Sequence, residues 1–234
     1  MAGAPLRLTE QTLAGGIAYL AARDPDLAAV VARHGPPPLW ARDPGFPTLV
    51  QIILEQQVSL ASGRAAFERL ADLAGGLAPA RIAELDDAAM RGAGVSRQKA
   101  SYIRELARMI TDEQFDPDSL EALDDDAARA ALLRLRGIGD WSADIYLLMA
   151  LRRADVWPTG DLALLVAARE VKRLRALPDA ERMNRLAAPW RPWRGVAARL
   201  LWHHYLSTPR RRAVPSVAKR PPSGRAVPSR RPAR

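Results

Sequence analysis

The stretch 132–161 constrains this chain more than any other. Leu132, Leu133 and Leu135 lead into a Gly137-Ile138-Gly139 turn, a second apolar run leaves it, and Asp161 follows a Pro158-Thr159-Gly160 break. Leu133, Leu135, Ile138, Ala143 and Leu147 are spaced so that two helices joined by the turn pack on each other. Glycine lets the backbone adopt positive φ, or approach an anion without a Cβ in the way. Consecutive N–H groups of such a turn can then converge on one phosphate. Carbonyls on its inner side can ligate a cation. The same Gly-x-Gly also reads simply as a helix stop.

Helical periodicity recurs along the chain. Helices are expected over 9–22, 25–33, 46–58 and 59–73, then two short ones within 79–90 and a long amphipathic one ending near Ile110. After Asp161 the pattern predicts helices over 162–174, 179–187 and 193–206. Gly92-Ala93-Gly94, ahead of the long helix, reads as a weaker copy of the hairpin unit. The acidic triplet Asp124-Asp125-Asp126 precedes an apolar run and reads as helix capping. No segment sustains the alternation of a strand, so the expected fold class is all-α.

Composition narrows the chemistry. At 234 residues and 48% hydrophobic content the chain can bury a sizeable core. No uncharged apolar run is long enough to span a bilayer. The first ten residues lack the pattern of a signal peptide, so a cytoplasmic location is expected. With no cysteine there is no disulfide, thiolate nucleophile or iron–sulfur cluster, and three scattered histidines make a transition-metal site improbable. The net charge is +9, but nine Lys/Arg and no acid lie in 209–234, which leaves 26 basic against 26 acidic residues in 1–208. The body is neutral and the charge sits on an Arg/Pro/Ser-rich tail. That tail repeats Arg-Ala-Val-Pro-Ser and is expected to be disordered, either adding salt-sensitive affinity for polyphosphate or being a solvated extension.

Asp161 is placed to cap the helix that follows it. A carboxylate held at a helix N-terminus is also the fixed anion that an oxocarbenium-like transition state requires, as in glycoside cleavage. The two readings are compatible.

Several ordered motifs share one resemblance. Ile52-Ile53-Leu54-Glu55-Gln56-Gln57-Val58-Ser59, Gly94-Val95-Ser96-Arg97-Gln98-Lys99-Ala100, the Leu135-Arg136-Gly137-Ile138-Gly139-Asp140-Trp141-Ser142 hairpin and Asp155-Val156-Trp157-Pro158-Thr159-Gly160-Asp161 follow in order. Trp190 to Arg194, then Trp202, extend the pattern. Together they resemble the helix-hairpin-helix (HhH-GPD) DNA glycosylase superfamily, in its 3-methyladenine DNA glycosylase II branch. The resemblance implies one glycosylase domain over 1–208, with a subdomain of about 46–150 inserted between N- and C-terminal helices and the site in the cleft between them.

By that resemblance Asp161 is the catalytic aspartate. Gly137, Ile138, Gly139 and Asp140 bind a DNA phosphate, and the backbone carbonyls of Leu133, Leu135 and Ile138 surround a sodium or potassium ion. Trp141, Trp202 and Tyr146 are expected in the base pocket, with Trp40 and Phe46 as looser candidates, and Gln57 is expected to wedge into the duplex. Trp141 stands where bifunctional relatives carry a Schiff-base lysine, which implies a hydrolase without AP-lyase chemistry. Tryptophan faces suit a flipped cationic base through cation–π stacking. His203 and His204 read as structural, His34 as a helix-end residue, and Asp144 as either bonded to the hairpin or facing the cleft.

The expectation is a monomeric, monofunctional enzyme that hydrolyses the N-glycosidic bond of 3-methyladenine and related N-alkylpurines in double-stranded DNA, initiating base excision repair, with no cofactor for the chemistry. Two readings stay open beside it: a glycosylase for uracil, hypoxanthine or an oxidised purine, and a non-catalytic DNA-binding module.

Overall fold

The computed structural model describes residues 5–209; the basic tail lies outside them. Among the described residues there are twelve α-helices and no strand beyond an isolated bridge between Arg7 and Arg153. In chain order they are α1 (Glu10–Ala21), α2 (Pro25–His34), α3 (Phe46–Glu55), α4 (Leu60–Ala74), α5 (Pro79–Glu84) and α6 (Asp87–Gly92). Then follow α7 (Arg97–Thr111), α8 (Asp125–Leu133), α9 (Asp140–Met149), α10 (Leu162–Val171), α11 (Ala180–Ala187) and α12 (Arg194–Ser207). None of these helices is long and apolar enough to cross a membrane.

The helices pack in two groups. One joins α1, α2, α10 and α12; the other holds α3 to α9, with α5 against α7, α3 against α4, α7 and α9, and α8 against α9. The segment after α9 stitches the groups together. Leu8 donates to the Arg152 carbonyl (2.7 Å), Ala154 to that of Leu6 (2.9 Å) and Gly195 to that of Ala154 (2.8 Å). A side chain at Gly195 would meet the carbonyls of Ala154 and Arg153 within 2.9 Å, so only glycine lets α12 start this close to the seam. Arg199, fully buried on α12, donates to the carbonyls of Leu148 (2.5 Å), Gly195 (2.9 Å) and Leu39 (3.0 Å), tying α9 and the chain before α3 to one helix. Burial pushes its guanidinium down to about 10.

Two details depart from periodicity. The helix expected over 46–58 ends at Glu55, because Gln56 is extended (φ −61°, ψ 129°) and Gln57 enters the left-handed region (φ 57°). Ser59 then caps α4 through the Ser62 N–H (3.1 Å). Of the acidic triplet, Asp124 caps α8, whereas Asp125 pairs with the buried Arg153 (3.4 Å).

Candidate active site

The break before α10 ends at Asp161, whose extended backbone makes it the N-cap. Its Oδ1 accepts the Leu164 N–H at 2.9 Å. Two further donors converge on the same carboxylate: Trp141 Nε1 on Oδ2 at 2.8 Å, from α9, and Trp202 Nε1 on Oδ1 at 3.1 Å, from α12. A carboxylate has about four lone-pair directions, so three are taken by N–H groups and one stays open. No cation pairs with it among the described residues. Helix capping and a pre-set anion are here one arrangement.

Beside this carboxylate lies a cavity of about 460 Å³ lined by Trp40, Arg42, Glu55, Leu60, Ile145 and Met149, together with both tryptophans and Asp161. That volume falls in the range of sites for drug-sized ligands. Trp141, Ile145 and Met149 share one face of α9 at four-residue spacing, which is why they line it together. Tyr146 does not belong to the cavity. It is fully buried and accepts the Gly45 N–H at 2.8 Å, because five residues beyond Trp141 the helix has turned about 140° away. Phe46 is likewise core, and Trp40 is a lining residue.

The hairpin turn separates the roles of its glycines. Gly137 has φ 87°, and a Cβ there would lie 2.3 Å from the Tyr102 ring, so this glycine serves the turn's own geometry. Gly139 has φ −102° with open space where its Cβ would be. It is the N-cap of α9 and provides no side-chain acceptor, so the first N–H groups of that helix face outward uncapped. The Asp140 side chain turns instead to Arg129 (2.9 Å), leaving its backbone as the part suited to a phosphate. Turn hydrogen bonds take the carbonyls of Leu132 and Leu135, and no turn N–H reaches those of Leu133 and Ile138.

Gln57 is exposed at the loop between α3 and α4, next to the exposed Val58 and Leu60. Two residues that the sequence reading gave no role hold that loop. Lys99 donates to the carbonyls of Leu54 (2.7 Å) and Gln56 (2.8 Å), and Gln56 donates to the Gly137 carbonyl (2.8 Å) and Ser142 Oγ (2.9 Å). Burial lowers the Lys99 ammonium below its ordinary value. Charged and amide residues inside matched motifs were the signal that could have singled them out.

Asp144 does not line the Asp161 cavity; it borders a separate polar one with Arg129, Asp155 and Arg194. It is buried, and although Arg129 pairs with it at 2.9 Å and favours its charged form, burial wins and raises the carboxyl above its ordinary range. The histidines form a chain away from the cavity: His34 Nε2 lies 3.2 Å from His204 Nδ1, and His204 Nε2 3.1 Å from Glu170. His203 Nε2 meets the His34 carbonyl at 3.0 Å.

A two-lobed helical body with a glycine hairpin and a capping carboxylate at the cavity wall defines a class, and comparison with known proteins places the chain in it. Residues 50–192 match the HhH-GPD superfamily base excision DNA repair protein family, and the chain belongs to that superfamily. It is similar to a DNA-3-methyladenine glycosylase of Bacillus subtilis, at 25% identity over 122 residues, 52% of this chain and 40% of that protein. A DNA-3-methyladenine glycosidase structure from Bacillus halodurans superimposes with a TM-score of 0.68 at 27% identity, covering 82% of this chain and 89% of the other. The fold is also that of a 3-methyladenine DNA glycosylase from Schizosaccharomyces pombe (Mag1) in complex with abasic DNA, with a TM-score of 0.73 at 24% identity over 80% and 95% of the two chains. The chain spans between 40% and 64% of the length of the first three curated relatives.

Proposed function

We propose that this chain is a monofunctional DNA glycosylase that excises alkylated bases, 3-methyladenine and related N-alkylpurines, from double-stranded DNA. The observation that carries the proposal is the Asp161 carboxylate, held by three N–H donors at the wall of a tryptophan-lined cavity large enough for a base. The relatives named as 3-methyladenine glycosylases support the substrate class.

A base flipped into the cavity meets the Trp141 and Trp202 rings, whose electron-rich faces attract an alkylated, positively charged purine. As the C1′–N bond breaks, its electron pair leaves with the base, which departs neutral, and positive charge grows on the sugar. Asp161 stabilises that charge without having to reorient, because its donors already fix it. Water then adds hydroxide to C1′ and releases a proton, leaving an abasic site. The lysines among the described residues are engaged elsewhere: Lys99 at the α3 end, Lys172 on Asp24 and Asp26. Neither lines the cavity, so among the described residues no lysine amine is placed to form a Schiff base there, which supports a reading without a lyase step.

On the DNA side, the α9 N-terminus at Gly137 to Asp140 grips a phosphate and Gln57 enters the gap left by the flipped base. A sodium or potassium ion fits the carbonyls of Leu133, Leu135 and Ile138, since two of the three carry no turn hydrogen bond. Such an ion would add positive charge next to the phosphate. The enzyme acts as a cytoplasmic monomer and needs no cofactor for the chemistry.

The test is release of base from methylated duplex DNA by the parent and by Asp161→Asn. Asparagine caps helices as well as aspartate, so the fold is kept. Its amide nitrogen, however, would face an indole N–H with no acceptor to offer. Release should fall roughly 10²-fold or more. Equal rates for the two proteins would remove Asp161 from the chemistry, and normal duplex binding without release by the parent would make the chain a binding module.

A further inference from the structure

The hairpin carries a charge that works against its use as a phosphate grip. Asp140 is the first residue of α9, directly after the uncapped Gly139, and its side chain is 72% exposed. An acidic side chain in the first turn of a helix is drawn to the free N–H groups there. Those are the groups a phosphate would use at this terminus. An unrestrained Asp140 would therefore oppose DNA twice, by competing for the N–H groups and by repelling the phosphate charge. Its Oδ1 instead accepts Arg129 Nη2, from α8, at 2.9 Å.

Arg129 has a firm anchor for this hold. Its Nε donates to Asp144 Oδ1 at 2.9 Å, and the Asp144 side chain is only 5% exposed. Asp144 lies one turn beyond Asp140 on the same face of α9, so one guanidinium spans both carboxylates. Without it the two aspartates would repel each other at four-residue spacing, and the exposed one would yield, away from Asp144 and towards the helix terminus. An ion pair as exposed as that of Arg129 with Asp140 contributes little to stability. What it changes is where the Asp140 carboxylate stands.

We propose that Arg129 is a positioning residue of the phosphate grip: it holds the Asp140 carboxylate against α8 and so keeps the α9 terminus open to DNA. The role rests on the reading above of that terminus as a phosphate contact. It belongs to binding and not to bond cleavage. The Asp161 carboxylate takes its three donors from Trp141, Trp202 and Leu164, and neither Arg129 nor Asp140 touches it. Loss of Arg129 should accordingly appear in affinity and KM, with kcat left alone.

The test is a rescue, read as affinity for a duplex carrying an abasic-site analogue at fixed salt, and as KM and kcat for base release from methylated duplex. Asp144→Asn is placed in every variant, so that no buried carboxylate is left without its partner. Asparagine is isosteric and keeps an oxygen for Arg129 Nε. In that background Arg129→Gln should weaken binding roughly fivefold and raise KM alike, at unchanged kcat. Adding Asp140→Ala removes the side chain that competes and repels, and it should restore the affinity of the Asp144→Asn protein. A folding defect caused by Arg129→Gln would persist in the triple variant and could give no such recovery. A triple variant as weak as the double one would mean that Arg129 acts on the phosphate directly or only on the fold, and it overturns the proposal. Arg129→Gln with unaltered affinity does the same and leaves the phosphate grip standing. A parent that binds no duplex overturns both.

Discussion

Trp141 joins two functions in one side chain. Its ring lines the cavity and its Nε1–H holds Asp161 at 2.8 Å. These separate experimentally. Trp141→Phe keeps an aromatic face and deletes the donor, so kcat should drop about tenfold, the worth of a hydrogen bond to a charged group, while KM for lesion DNA barely moves. Trp141→Ala should raise KM as well. A Phe variant with parental kcat would show that the indole N–H does not position the carboxylate. Arg199 represents the opposite case, a charged residue with no place in the chemistry. Its three carbonyl acceptors come from Leu39, Gly195 and Leu148. Arg199→Met leaves them unmatched in the core and should lower unfolding free energy by roughly 3 kcal/mol or more, read from denaturant titration.

The hairpin between α8 and α9 shows how one motif assigns unlike duties to like residues. Gly137 is needed by the fold: φ is positive and Tyr102 fills the space of a Cβ. Gly137→Ala should cost about 1–3 kcal/mol of stability, measured by thermal and denaturant unfolding. Gly139 is needed by neither φ nor packing, and its Cβ direction is open. Gly139→Ala should therefore unfold at the parental temperature yet bind duplex DNA more weakly, since the methyl group obstructs an approaching phosphate. Unchanged affinity in a salt-controlled titration would mean that the phosphate docks elsewhere. Gln56 ties the loop that carries Gln57 to this hairpin through the Gly137 carbonyl and Ser142 Oγ, and Lys99 of α7 ties the same loop to its own helix through the Leu54 and Gln56 carbonyls.

At the scale of the whole molecule, a part-buried polar cluster that ties α2 to the end of α10 and to Trp190 responds to pH. Asp24 caps α2 and is burdened by burial, which alone would raise its pKa. The bonds to Lys172 (2.6 Å) and Trp190 Nε1 (2.8 Å) outweigh that and hold it below its ordinary 3.8. A depressed carboxyl contributes stability that is complete above its unfolded value and is lost as pH falls through the folded one. Asp24→Asn should thus be less stable at pH 7 and should show a shallower decline of stability below about pH 4. Equal acid slopes for the two proteins would separate this cluster from acid unfolding.

Much of this was legible beforehand, because helix periodicity, caps and glycine turns are local. The all-α class, the Asp161 cap and the hairpin follow from spacing within a few residues, and ordered motifs were enough to suggest the superfamily. Tertiary structure decided what local spacing leaves open. Trp141 and Trp202 lie far apart in the chain, and only packing of α9 and α12 around α10 brings both indole N–H groups to one carboxylate. Tyr146, one residue past the lining Ile145, was lost to the core by helix phase. Arg42 lies outside the matched motifs, and Glu55, though inside one, was given no place at the cavity, for a charge looks the same at a surface as at a pocket wall. Only burial and the accounting of donors and acceptors tell the two apart.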